Sequence, residues 1–205
     1  MTSHEEKVVY FEKHSEEFEK GKLHSSSVTY FNPDGKVLGS LSIDYSLGLA
    51  VPSYILRDKR YGKIQGVRWH NDQLQSFTQK LKENEGQIEN VYPIQDPLVM
   101  TGPGLYAYIG NKLEFLERQN ILAFQYVIPG RREVLDFYIH YISTKNNIAE
   151  IEVTLGPWPL NLLGPRMKFI FDKVKKRLLF YRGPGNIRGE NGRMMTVKTE
   201  YYYSN

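Results

Sequence analysis

The chain contains no cysteine. Structural disulfides, thiolate nucleophiles and thiolate metal sites are therefore excluded. The absence fits an oxidising compartment, where stray thiols mispair. Histidine is scarce, with five residues: His4, His14, His24, His70 and His140. None of them pairs at the i, i+4 helical spacing or in an H-x-H string, so no metal site is expected. His14 and His24 are expected on facing arms of one hairpin. No run approaches the ~18 apolar residues of a membrane-spanning helix. The segment 1–6 lacks the apolar core of a signal peptide. That leaves a cytoplasmic protein or a mature form of an exported one. No fixed-period repeat, low-complexity stretch or long linker divides the chain.

What is present suits β-structure. The 205 residues fit a single domain over 1–205, long enough to bury a core without staples. Fifteen tyrosines and ten phenylalanines favour half-buried strands, where a ring packs and a hydroxyl stays wet. The net charge of +4 is a mild basic bias that favours acidic surfaces such as anionic lipid or nucleic acid only slightly.

Turn residues recur between short alternating runs, the pattern of a meander. The spacing predicts strands over 7–18 and 22–31, joined by Glu19-Lys20-Gly21. Asn32-Pro33-Asp34-Gly35 is the strongest turn, because Pro fixes φ and Gly accepts a positive one. A third strand is expected over 36–45, with Val37, Leu41, Ile43 and Tyr45 on one face. Strands over 62–70 and 73–81 flank the turn Asn71-Asp72. Leu105, Tyr108, Ile109, Leu113 and Leu116 recur at helical intervals, so 104–119 reads as one or two short helices after the breaker Thr101-Gly102-Pro103-Gly104. Strands return over 134–142, 148–156, 166–171, 177–182 and 193–203. The apolar, proline-broken stretch 157–165 reads as a loop with a helical turn near 158–163. About ten strands suggest one antiparallel barrel or strongly curved sheet.

Gly102-Pro103-Gly104-Leu105-Tyr106-Ala107 matches G-x-G-x-x-A, but Pro103 removes an amide and no βαβ context surrounds it. No P-loop exists, and no cofactor is expected. Ser25, Ser26 and Ser27 lie on a strand without nucleophile-elbow geometry. Asp136, Tyr138 and His140 share the polar face of 134–142 and form the best candidate acid–base set. Asp136 and His140 stand ~13 Å apart along an extended strand, too far for direct contact. A solvated strand face is the simpler reading. Three basic clusters remain. Lys173-Val174-Lys175-Lys176-Arg177 reads as a hairpin tip, with lysines for solubility and edge protection. Arg131-Arg132 is the second. Arg57-Asp58-Lys59-Arg60 sits among apolar residues as an ion-paired corner or a ligand clamp. No aromatic–basic interleaving of a nucleic-acid reader is present, so nucleic acid is disfavoured as a partner.

Several strings, in order, resemble a family. These are Thr29-Tyr30-Phe31-Asn32-Pro33-Asp34-Gly35-Lys36, the segment 54–62, Val127-Ile128-Pro129 followed by Arg131, and Tyr181-Arg182-Gly183-Pro184-Gly185-Asn186-Ile187. Together they are similar to bacterial exported β-rich proteins, periplasmic or lipoprotein-like, of no assigned activity. The resemblance spans nearly the whole chain and implies an envelope location, in the periplasm or at the outer membrane. The expected function is non-enzymatic binding of a lipid or other apolar ligand in a barrel-like cavity. Tyr54, Arg57, Arg60, Tyr106, Trp158 and Leu162 are its candidate ligand-binding residues. A docking module for an envelope protein is the first alternative. A hydrolase using Asp136, Tyr138 and His140 is the second.

Overall fold

The computed structural model describes residues 7–80, 88–92, 98–132, 134–156, 164 and 166–204. Among these, the chain forms fourteen strands and two short helices. The first seven strands are β1 (Phe11–Glu19), β2 (Lys22–Phe31), β3 (Val37–Asp44), β4 (Ser53–Asp58), β5 (Lys63–His70), β6 (Gln73–Lys80) and β7 (Ile88–Tyr92). They pair antiparallel in chain order as one sheet, here called sheet one. Then come β8 (Val99–Thr101), α1 (Gly102–Asn111), α2 (Leu113–Gln119) and β9 (Ile121–Val127). Sheet two continues through β10 (Leu135–Lys145), β11 (Ile148–Leu155), β12 (Met167–Asp172), β13 (Arg177–Pro184) and β14 (Thr196–Glu200).

This corrects the expectation of a single ten-strand barrel. There are two seven-stranded sheets, one of them curled into a half-barrel. The division falls between β7, at the edge of sheet one, and β8, at the edge of sheet two, and two separate apolar clusters hold the layers. Within sheet two, β8 and β9 pair parallel, and a parallel pair cannot be closed by a hairpin. The chain crosses over through α1 and α2 instead, and a new meander begins. All ten expected strands exist. The four missed were β4, whose Arg57-Asp58 hid it, the short β7 and β8, and β9.

Turn chemistry accounts for several joints. Asn71 and Asp72 both take positive φ, 49° and 59°, the requirement of a two-residue primed hairpin turn. Asn146 and Asn147 do the same between β10 and β11, at 51° and 65°. The supposed breaker before the helix is its first turn: α1 starts at Gly102, with Pro103 where a missing amide costs nothing. A register shift opposite Tyr30 and Phe31 puts Leu38 into the core in place of the expected Val37. The helical turn expected near 158–163, with Trp158 and Leu162, lies outside the described residues.

Two apolar clusters hold the layers. Sheet two packs Phe137, Ile139, Ile151, Val153, Phe169 and Phe171 against Leu105, Ile109, Leu113 and Leu116 of the helices. Sheet one packs Val28, Tyr30, Leu41, Ile43, Tyr54 and Leu56 against Val99, Val127 and Ile187. Helix α1 touches both, since Ala107 packs on the second cluster. Polar ties also cross between the two halves. Tyr45 Oη and Tyr106 Oη lie 3.0 Å apart. Asn186 Nδ2 donates to Tyr30 Oη at 3.0 Å. Tyr61 Oη donates to the Gly189 carbonyl at 2.5 Å. No helix among the described residues is long and apolar enough to cross a membrane.

Candidate functional site: an open depression on sheet one

Sheet one buries one face. Its other face carries an open depression of about 450 Å³. Register decides the lining. Ser15, Ser27, Ser42, Ile55, Gly66 and Phe77 oppose one another across β1 to β6. Strand alternation turns Ser27 and Ser42 outward while their neighbours Val28 and Leu41 enter the core. A parallel row adds Glu17, Ser25, Asp44 and Ser53, with Arg68 on β5 also lining the site. The hollow exists because the middle of this face carries serines and a glycine, where most strands carry larger side chains.

One end is built rigidly. A Cβ on Gly66 would lie 2.1 Å from the Tyr54 carbonyl oxygen and 2.9 Å from Phe77 Cζ. The Phe77 ring thus covers the backbone of Gly66, which only glycine permits. The Arg68 guanidinium lies over that ring, 5.5 Å from its centroid. Its Nη2 is 2.5 Å from Glu89 Oε1. At the other end Glu17 Oε2 accepts from Ser25 Oγ at 2.7 Å, and Asp44 Oδ1 accepts from the Ser46 amide at 2.8 Å.

The lining offers hydroxyls that both donate and accept, two carboxylates and an apolar floor. It contains no histidine and no lysine. Among the described residues, the one lining serine bonded to a carboxylate is Ser25, which donates to Glu17.

The sequence candidates fall elsewhere, with partial exceptions. Tyr54 belongs to the wall of the depression, but its ring points into the core and its hydroxyl lies against Gly102. Arg57 is exposed on the same outer face, one row beyond the serines, opposite Ser40. Arg60 stands in the turn after β4, with Nε and Nη2 buried and without a hydrogen bond among the described residues. Among the described residues Asp58 forms no ion pair at this corner. The Asp58 carboxylate accepts the amides of Arg60 and Tyr61 at 3.0 and 3.4 Å. Tyr106 is interior, bonded to Tyr45. Asp136, Tyr138 and His140 do share one face of β10. His140 Nε2 bonds Thr154 Oγ1 at 3.0 Å, so the imidazole engages a hydroxyl and not the candidate acid. His14 and His24 are not cross-strand partners: His14 opposes Val28. His14 bonds Glu12, and His24 lies 3.7 Å from Glu19.

The interior is rich in protonated tyrosines. Burial pushes the hydroxyls of Tyr30, Tyr45, Tyr54 and Tyr106 above their usual range. That of Tyr126 rises to about 12 for the same reason.

The serines of the depression were visible in the sequence as alternating pairs, Ser25 and Ser27, then Ser40 and Ser42. Their convergence on one face needed the strand register. Comparison with known proteins brings no family. No family model, no curated protein and no solved structure matches the chain.

Proposed function

We propose that the protein is a non-enzymatic binding module of the bacterial envelope, and that its ligand sits in the outer depression of sheet one. The observation that carries this reading is the depression itself: about 450 Å³, within the range of small-molecule sites, lined by hydroxyls over an apolar floor. The ligand is a small amphipathic molecule with an apolar body and a hydrogen-bonding edge. The interior offers less support for a lipid carrier, because α1 and α2 pack their Leu105, Ile109, Leu113 and Leu116 against sheet two. The envelope location rests on the resemblance to exported proteins.

The test fills the hollow. Native mass spectrometry and displacement of a fluorescent fatty-acid probe should show binding by the wild-type chain. Ser42→Trp should abolish it while leaving the thermal midpoint unchanged, since Ser42 is exposed. A bare protein mass with no probe displacement, or equal binding by Ser42→Trp, would sink the reading.

A further inference from the structure

The basic tip of sheet two is not absorbed by the depression, which lies on the other sheet. The turn between β12 and β13 is held rigid. Asp172 Oδ1 accepts the amides of Val174 and Lys175, both at 2.9 Å. The turn sits beside the β10–β11 turn, because the Lys173 amide donates to the Asn147 carbonyl at 2.8 Å. The end of α1 adjoins both: a Cβ on Gly110 would stand 3.2 Å from the Lys176 carbonyl oxygen. Lys112, Lys145, Lys175 and Lys176 are all exposed at this end. None of the four has a carboxylate partner among the described residues. The acidic groups nearby are Glu117, paired with Lys173 at 2.5 Å, Asp172, which holds the turn amides, and Glu114, whose charge also acts on Lys173, so the four exposed lysines outnumber them.

The same end exposes aliphatic side chains. Val174 is 72 % exposed at the tip, between lysines, and Ile142 is 52 % exposed. Ile142 is the unpaired residue of a bulge in β10. Solubility and edge protection account for lysines, but not for a bare valine held between them.

We propose that this end docks on an anionic phospholipid surface. Lysines attract the headgroups, and Val174 with Ile142 enters the boundary between headgroups and acyl chains. Charge alone would also fit nucleic acid, but its outer phosphates gain nothing from an exposed valine and isoleucine, whereas acyl chains do. The aliphatic tip therefore favours the bilayer.

Vesicle flotation decides it. The wild-type chain should float with phosphatidylcholine vesicles holding about one third phosphatidylglycerol, and not with pure phosphatidylcholine. Lys175→Glu with Lys176→Glu should lower the partition coefficient about tenfold or more, and salt should weaken it. Val174→Ser should lower it roughly threefold to tenfold at unchanged charge. The control pair Lys20→Glu with Lys36→Glu makes the same charge change in turns of sheet one and should stay within about threefold of wild type. All these sites are exposed, so folding is checked by an unchanged thermal midpoint. Absent flotation, equal binding to neutral vesicles, or equal loss in the control pair would overturn the proposal. So would a Val174→Ser variant that binds as wild type while duplex DNA displaces the vesicles, which would assign the tip to nucleic acid.

Discussion

Sheet one and sheet two have the same number of strands and opposite uses of side-chain volume. Sheet two fills the space against its helices with rings. Phe124 and Phe137 stack at 5.8 Å, Phe169 and Phe171 at 6.4 Å, and Phe169 meets Tyr181 at 5.1 Å. Its other face carries ion pairs such as Lys168–Glu150 at 2.6 Å. Sheet one covers its core face equally well, yet its outer face is paved with serine. A face built from large side chains stabilises the fold, whereas one built from small side chains leaves room. The difference teaches where to look for binding: on the sheet that withholds bulk.

Perturbations should separate the two roles, and the largest tests what both sheets share. The interior tyrosines have raised hydroxyl pKa values, caused first by burial, against an unfolded value of 10.0. A raised folded value means stability is retained in full below about pH 10 and lost as pH climbs through the folded values, beginning near 12 for Tyr126. Tyrosinate absorbance and circular dichroism should therefore change together in one cooperative alkaline transition. A gradual, non-cooperative rise in absorbance would show the rings to be accessible.

Next in size is Phe137→Ala in sheet two. Phe137 is 4 % exposed and stacked, so its loss should cost about 3–5 kcal/mol in denaturant unfolding. A cost below about 1 kcal/mol would mean that this core can collapse around the gap. Gly66→Ala in sheet one should cost about 3 kcal/mol or more, because the new Cβ would run into the Tyr54 carbonyl oxygen as well as the Phe77 ring, and should weaken probe binding as well. Stability lost with binding retained would uncouple that ring from the depression. Tyr45→Phe removes one hydroxyl contact to Tyr106 and should cost about 1 kcal/mol. The smallest effect belongs to Ser27→Ala, exposed on the open face, which should alter stability by less than about 0.5 kcal/mol. It should still lower probe affinity. A fall in stability comparable to Phe137→Ala would erase the contrast between the sheets.

Much of the strand pattern was legible along the chain. The alternation of Ala149, Ile151, Val153 and Leu155 with Glu150, Glu152 and Thr154 is what β11 shows, with the first three buried and Leu155 packed on their cluster, except that Thr154, expected on a wet face, is buried too. Asn71-Asp72 specified its turn through two residues that tolerate positive φ. The strand β9 was not legible, because Ile121–Val127 carries apolar residues on both faces and shows no period of two. The candidate site was legible only in pieces. Alternating serines were visible, but Ser15, Ser27 and Ser42 are neighbours only once register aligns three strands.

The sequence by itself determined that this is a β-rich chain without thiol chemistry, with short helices at 104–119 and a basic hairpin tip at 173–177. Those properties depend on composition, on periods of two and 3.6 residues, and on local turn chemistry. Only the tertiary structure decided that the strands form two sheets, dividing between β7 and β8, and that β8 pairs parallel with β9 across a helical crossover. It alone brought serines from four strands to one face, and set the turn 173–176 beside the β10–β11 turn. Such neighbours are remote in the chain, and no local preference encodes their meeting.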